Sequence, residues 1–350
     1  MGSRLAGLDF VKGVAIIWVV AFHVFKDFPT WWDVQSPIEQ LFYRFVASGA
    51  MGVNLFIIAS GLTLPFAWQR MQQKGKGWPS FWGKRFLRIL PMYYAAIIFV
   101  LAMDFIIGPE NFDLKIDSLI YHVFGLHTFT EHMFGIEGAW WFMGLIIQLY
   151  FLFPVLQKLR EHMSTVLLLL GTIILAVVAR QIPLLNLDSN YSVFAFMPGF
   201  VFGMWLGEQY QSESKLLSQP LLWVYSVLGI FLLYLWALGH VSFFDGLGLV
   251  RHIVAVMIFL FLYTFANLIN RSSKFSMFAA IVCLFGLYAY PVYLFHRPLI
   301  YKYVTTVSTY LAVLPAFLLF LAVLLLTGWM LQEADQGVRK RLARRYAWMS

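Results

Sequence analysis

The sequence predicts an all-α fold, a polytopic membrane helical bundle of about ten transmembrane helices with both termini cytoplasmic. Three observations carry this prediction. Hydrophobic residues make up 61% of the 350 residues and charged residues only 12%, whereas soluble domains run at roughly 25% charged. With so few charges, and a mean hydropathy of +0.75, the chain cannot clothe a water-facing surface, and its apolar excess must face lipid. The second observation is a set of long apolar stretches, and the third is the one-sided placement of Lys and Arg around them. The same composition excludes disorder, a collagen-like fibre and a secreted disulfide scaffold. The single cysteine, Cys283, rules out an intramolecular disulfide.

A bilayer span needs about 20 mostly apolar residues, because the hydrocarbon core is about 30 Å thick and a helix rises about 1.5 Å per residue. Segments 6–25, 46–68, 89–107, 139–157, 164–180, 193–209, 220–239, 249–268, 277–299 and 309–331 meet that test. The first is too long, and too polar at its edges, for a cleavable signal peptide, and reads as a permanent helix. Pro291 and Pro298 predict a kink in the ninth. No internal repeat is visible.

With the N-terminus inside, the cytoplasmic segments hold Arg4, Arg70, Lys74, Lys76, Lys84, Arg85, Arg88, Lys158, Arg160, Lys215, Arg271, Lys274, Arg339, Lys340, Arg341, Arg344 and Arg345. That leaves Lys26, Arg44, Lys115, Arg180, Arg251, Arg297 and Lys302 on or near the outer side, with Lys12 inside the first span. The outer segments are instead acidic: Asp27, Asp33, Glu39, Glu110, Asp113, Asp117, Glu131 and Glu137. The net charge of +8 is therefore an orientation signal, and it argues against nucleic-acid binding. Trp31, Trp32, Trp140 and Trp141 read as interfacial belt residues. His122, His127 and His132 recur at intervals of five in the outer stretch 108–138. A metal site is better served by an i, i+4 pair, so these read as an ordinary outer loop, with no metal.

Ionisable groups inside spans are costly and mark function by default. The first span holds Asp9, Lys12 and His23. Asp9 and Lys12 are three apart and can pair on one helix face. Lys12 and His23 share nearly the same stripe, roughly 16 Å apart along the axis. A buried structural ion pair explains Asp9 and Lys12 as well as function does, and His23 taken alone reads as an interfacial histidine. The stretch Trp82-Gly-Lys84-Arg85-Phe-Leu-Arg88-Ile-Leu-Pro91 belongs at a cytoplasmic interface on charge alone. Yet Arg85 and Arg88, one turn apart, suit a polyphosphate, with Lys84 adding a point charge. His296-Arg297, beside Pro298, reads as interfacial.

Together these segments resemble the acyltransferase-3 family of integral membrane acyltransferases, which modify extracytoplasmic glycans. The run from Leu8 and Asp9 through Lys12 and Gly13 to His23 is similar to the family's first-helix pattern. Gly52-Val-Asn54-Leu-Phe56 through Ser60-Gly61 resembles its second-helix signature, and Arg85-Phe-Leu-Arg88-Ile-Leu-Pro91 its two-arginine motif. Trp141 through Gln148, Tyr150 and Pro154 resembles the fourth-helix motif, and Tyr288 through Tyr293, His296 and Pro298 the late tyrosine-rich segment. The chain departs from the pattern in two places. Ile146 stands where many members carry a carboxylate, and Lys12 replaces the commoner arginine, losing bidentate hydrogen bonding. The resemblance implies an acyltransferase transmembrane domain over 1–335, followed by a basic cytoplasmic tail, 336–350.

The resemblance further implies an acyl-CoA donor, most often acetyl-CoA, and no permanently bound cofactor. Lys84, Arg85 and Arg88 would hold the CoA phosphates. His23 would act as general base on an acceptor hydroxyl, since an unperturbed imidazole titrates near about 6.5. Lys12 would steady negative charge with Asp9 fixing it, and Ser60, Gln148, Tyr150, Tyr293 and His296 would contact substrate. The acceptor would be an extracytoplasmic or lipid-linked glycan, and the setting the cell inner membrane. A proton-coupled transporter using Asp9, Lys12 and His23 as a relay is the alternative, although such proteins often show repeats and paired broken helices. A non-catalytic membrane sensor is a third reading.

Overall fold

The structure, a computed structural model, describes residues 6–27, 36–107, 115–184, 190–212, 219–237, 249–269, 276–307 and 310–345. Arg4, Trp31, Trp32, Asp33, Glu110, Asp113, Lys215, Arg271 and Lys274 lie outside the described residues. So do the side chains of Asp27, Arg251, Lys302, Lys340, Arg344 and Arg345. Among the described residues all regular structure is helical, with no strand. The α-helices are α1 (Ala6–Asp27), α2 (Pro37–Ala47), α3 (Gly52–Gln72), α4 (Trp78–Ile107), α5 (Ile116–Val123), α6 (Trp141–His162) and α7 (Thr165–Ala179). They continue as α8 (Val193–Gln211), α9 (Gln219–Ala237), α10 (Leu249–Ile269), α11 (Ser276–Leu287), α12 (Ala289–Val307) and α13 (Val313–Arg345).

Five described stretches are long and apolar enough to cross a membrane: Gly7–Lys26, Pro37–Gln72, Trp78–Ile106, Gly138–His162 and Val313–Arg339. A sixth is the pair Met277–Leu287 and Ala289–Ile300, counted as one span. That pair is bent by 79°, where a proline kink was expected. The bend falls at Tyr288, ahead of Pro291, which sits in the first turn of α12, where its missing N–H is not needed. Pro298 lies inside α12 instead. The backbone stays bonded across the break, with Tyr288 N–H donating to Leu284 O at 3.0 Å and Val292 N–H to Tyr288 O at 3.1 Å.

The chain forms two compact units. The first comprises residues 1–63 and 198–326. Within it α1 is the central helix, packed most extensively on α11 and also on α10, α12 and the 3-10 turn Ser48–Met51. Two glycines set the closest approach. A Cβ on Gly13 would collide with the Val282 carbonyl oxygen, and one on Gly286 with the Asp9 carbonyl oxygen, so α1 and α11 touch backbone to backbone. The same device joins α3 to α8, where Gly61 meets the Phe200 carbonyl and Gly203 that of Ile58. Ahead of α3, α2 starts in a capping box: Ser36 Oγ accepts from Glu39 N–H at 3.2 Å and the Glu39 carboxylate accepts from Ser36 N–H at 2.8 Å, with Pro37 in the first turn.

The second unit comprises residues 64–197 and 327–350. Here α6 packs on α4, α7 and the turns that precede it. Trp68 and Trp78 stack face to face with centroids 3.5 Å apart, clamping the α3 to α4 connection, and Phe81 continues the cluster onto Phe153 at 5.3 Å. Ile98, Phe105 and Ile106 of α4 and Ile174 and Val178 of α7 point outward, as lipid-facing side chains do. At the chain's end α13 runs without a break past residue 335 into the basic segment, where Arg339 pairs with Asp335.

Candidate functional site

In the first unit, α1 carries Asp9, Lys12 and His23. Lys12 Nζ donates to Asp9 Oδ1 at 3.2 Å, with both side chains partly buried. The i, i+3 spacing brings them together on one turn. Farther along, the His23 ring lies 5.1 Å from that of His296, the planes tilted by 49°, and edge-on to Phe22 at 4.9 Å. His296 is fully buried on α12, enclosed by protein. The bend at Tyr288 aims α12 so that this histidine meets α1.

The carbonyl of Tyr293 accepts from His296 Nδ1 at 2.6 Å. A carbonyl can only accept, so the proton of a neutral His296 sits on Nδ1 and its lone pair on Nε2. Tyr293 is itself buried, its ring 5.7 Å from His296. Ser60 is half-buried on α3, and its carbonyl accepts from the Thr63 hydroxyl at 3.3 Å.

One further polar pair went unnoticed in the sequence. Asn54, in the second-helix segment, is buried, and its amide Nδ2 donates to His252 Nδ1 at 3.2 Å. His252 lies on α10, within an apolar run. The rule applied to α1, that an ionisable residue within a span marks a site, is the signal that would have found it.

In the second unit, Lys84 and Arg85 lie in the second turn of α4 and line a cleft of about 320 Å³ with Arg70, Lys74, Gln73, Ala67, Met71 and Phe81. The Arg85 guanidinium sits over the Phe81 ring, 5.3 Å from its centroid, which holds the fork in place. Arg88, one turn on, is exposed and is not part of that lining. Tyr150 is buried on α6, its carbonyl accepting from Trp82 Nε1 at 2.9 Å. Gln148 donates through Nε2 to the Thr128 hydroxyl. Ile146, at the position where many family members carry a carboxylate, is buried.

Residues 116–140 fold into α5 and three 3-10 turns, which bury His122 and His127 and leave His132 partly exposed. His122 and His127 are fully buried and stack face to face, centroids 4.1 Å apart and planes within 6°. His122 Nδ1 bonds the Ser118 carbonyl at 2.9 Å, and His127 Nε2 the Trp140 carbonyl at 3.1 Å. Burial, then the neighbouring His127, push His122 down to about 4, and burial lowers His127 too. His132 stacks on Tyr121 at 5.1 Å and bonds the Ser118 hydroxyl through Nδ1 at 3.2 Å. Among the described residues no group of three or more His, Cys, Asp or Glu could hold a metal.

Trp140 corrects the belt reading. The 3-10 turn Gly138–Trp140 turns it fully inward, edge-on to Tyr93 at 5.5 Å. Trp141 packs on Tyr191 at 4.8 Å.

A family model described as an acyltransferase domain matches residues 5–332, nearly the whole chain, and the chain belongs to this acyltransferase-3 family. With its long apolar helices it is an integral membrane protein. Among curated proteins it is similar to the regulator of hypoxia-inducible factor 1 of Caenorhabditis elegans, 24% identical over 197 residues, covering 51% of this chain and 39% of that protein. It is also similar to protein 2 in the picA locus of Rhizobium radiobacter, 32% identical over 118 residues, 33% of this chain and 54% of that protein. The chain thus spans about half or less of the length of the relatives it matches. No solved structure matches it.

Proposed function

We propose that the protein is a membrane O-acyltransferase that moves an acyl group, acetyl from acetyl-CoA, onto a hydroxyl of an extracytoplasmic or lipid-linked glycan, with His23 as general base. The observation that supports this most is the His23 and His296 pair, two imidazoles with ring centroids 5.1 Å apart, one of them with its basic nitrogen defined by the Tyr293 carbonyl. In this reading the neutral His23 takes the proton of the acceptor hydroxyl as its oxygen attacks the thioester carbonyl. The new C–O bond forms, the C–S bond breaks, and the CoA thiolate leaves with the proton that His23 returns. Lys12, held by Asp9, steadies negative charge as it develops. Lys84, Arg85 and Arg88 hold donor phosphates, and Ser60, Gln148, Tyr150, Tyr293 and His296 contact substrate. A cell inner membrane setting, ten spans and cytoplasmic termini belong to the same reading, as does the separation of a tail at 336–350.

The test is mass analysis of cell-surface glycans with and without the protein, together with acetyl-CoA binding to the purified protein in detergent. Loss of an acetyl increment in the deleted strain, with saturable acetyl-CoA binding, is the expected result. Unchanged glycans and no acetyl-CoA binding would leave the transporter reading in its place.

A further inference from the structure

We infer that the cleft between the end of α3 and the start of α4 holds the ribose 3′-phosphate end of the acyl-CoA donor, with Arg70 and Lys74 as the phosphate contacts. This rests on the donor proposed above. It goes beyond the arginine pair, because it assigns two residues outside that motif and a chemical feature of the donor to them.

The cleft is built by local sequence. Helix α3 ends in a Schellman turn: Lys76 N–H donates to Met71 O at 3.0 Å and Gly75 N–H to Gln72 O at 2.9 Å, with Gly75 at φ 65°. Only glycine adopts that conformation at little cost. The turn fixes Lys74 at the helix cap, one turn beyond Arg70. The Trp68 and Trp78 stack then holds the start of α4 against it, so Lys84 and Arg85 face the same space.

Four cations therefore line one cleft of about 320 Å³, and none of its lining residues is a carboxylate. Ala67, Met71 and Phe81 supply apolar wall beside them. A ligand with an aromatic base and clustered phosphates suits such a lining. Coenzyme A carries a diphosphate and, separately, a 3′-phosphomonoester, which alone brings about −1.5 to −2 charges near neutral pH. Arg85 and Arg88 on consecutive turns suit the diphosphate. Arg70 and Lys74, on the opposite wall, are the cations left for the phosphomonoester. An anionic lipid headgroup offers the same phosphate chemistry, and the experiment separates the two.

Acetyl-CoA and 3′-dephospho-acetyl-CoA are titrated onto the full-length protein in phosphatidylcholine nanodiscs. The proteins compared are the wild type, an Arg70→Gln, Lys74→Gln double variant, and an Arg70→Lys, Lys74→Arg exchange. The two side chains are exposed, so these changes leave the core intact. The wild type is expected to prefer acetyl-CoA by about 10- to 100-fold. The double variant is expected to lose that preference while binding the dephospho form within about twofold of wild type, and the exchange to restore it. A preference retained in the double variant, or equal binding of both donors by the wild type, overturns the inference and leaves the donor reading standing. Binding of neither donor by the wild type overturns the donor reading itself. Thermal stabilisation by added phosphatidylglycerol in the wild type, absent from the double variant and accompanied by no donor preference, would assign the cleft to lipid and also overturn the inference.

Discussion

The two histidine pairs of this protein are built in opposite ways. His122 and His127 stack in parallel at 4.1 Å, each fully buried and tied to a backbone carbonyl. They close a small core of α5 and 3-10 turns, where Gly144 lets Thr128 and His127 approach α6. His23 and His296 are tilted at 5.1 Å on two long helices, and only His296 is fully buried, His23 being half-exposed. The first pair behaves as flat packing units that happen to titrate. The second leaves one ring partly exposed and fixes the tautomer of the other, as the proposed proton transfer requires. Proximity of two histidines is common to both, and burial and bonding distinguish them.

This contrast can be broken most directly at His23. Replacement His23→Ala should lower acyl transfer by about 10²- to 10⁴-fold, read as acetyl incorporation per unit of purified protein. Wild-type turnover in that variant would remove His23 as the base. His296→Ala should cost less, about 10- to 100-fold, because the ring supports rather than abstracts; a loss as large as that of His23→Ala would exchange the two roles. His127→Ala, by contrast, should leave turnover within about threefold and reduce stability by about 1 to 3 kcal/mol, measured as a lower Tm in detergent. A large fall in turnover at full stability would show that the His122 and His127 pair is chemical after all.

The pairs also differ in how acid acts on them. His122, at about 4 in the folded protein, stays neutral there while the unfolded chain takes up a proton near about 6.5. Its contribution to stability is therefore complete above about 6.5 and shrinks as pH falls towards about 4, by up to about 1.4 kcal/mol per pH unit. His127 is shifted in the same direction and adds to it. Hydrogen-exchange protection factors across residues 115–140, which divide out the intrinsic slowing of exchange in acid, should fall as pH drops between those limits, and the His122→Phe, His127→Phe variant should flatten the response. Protection factors that rise on acidification would reverse the sign. The smallest effect is expected at His132, partly exposed and near Glu131, where His132→Asn should change stability by less than about 1 kcal/mol.

What could be read from the sequence divides along the line between local and distant contacts. The Asp9 and Lys12 pair was legible because three residues make one helical turn. The long apolar helices followed from composition and length. The capping box at Ser36 and Glu39 was also written in the chain, yet α2 was passed over because the apolar window began inside it. His23 meeting His296, and Asn54 meeting His252, depend on how α1, α3, α10 and α12 pack, which no periodicity encodes. Trp140 was misread because belt position is inferred from neighbours in sequence, while a single 3-10 turn decides which way an indole points. The cleft shows the same limit: Arg85 was found by spacing, and its companions Arg70 and Lys74 came only with the turn at Gly75.

The interlock of Gly13 and Gly286 bears on how the protein can work as a machine. Each helix presents a carbonyl where the other has no room even for a methyl group. A screw of one residue, about 1.5 Å along the axis and about 100° around it, would bring the Lys12 or Val14 side chain onto that carbonyl, so α1 and α11 act as one keyed shaft rather than as two rods on a bearing. Whatever moves when the protein works, these two helices move together, and Asp9, Lys12 and His23 travel with α11 as one body.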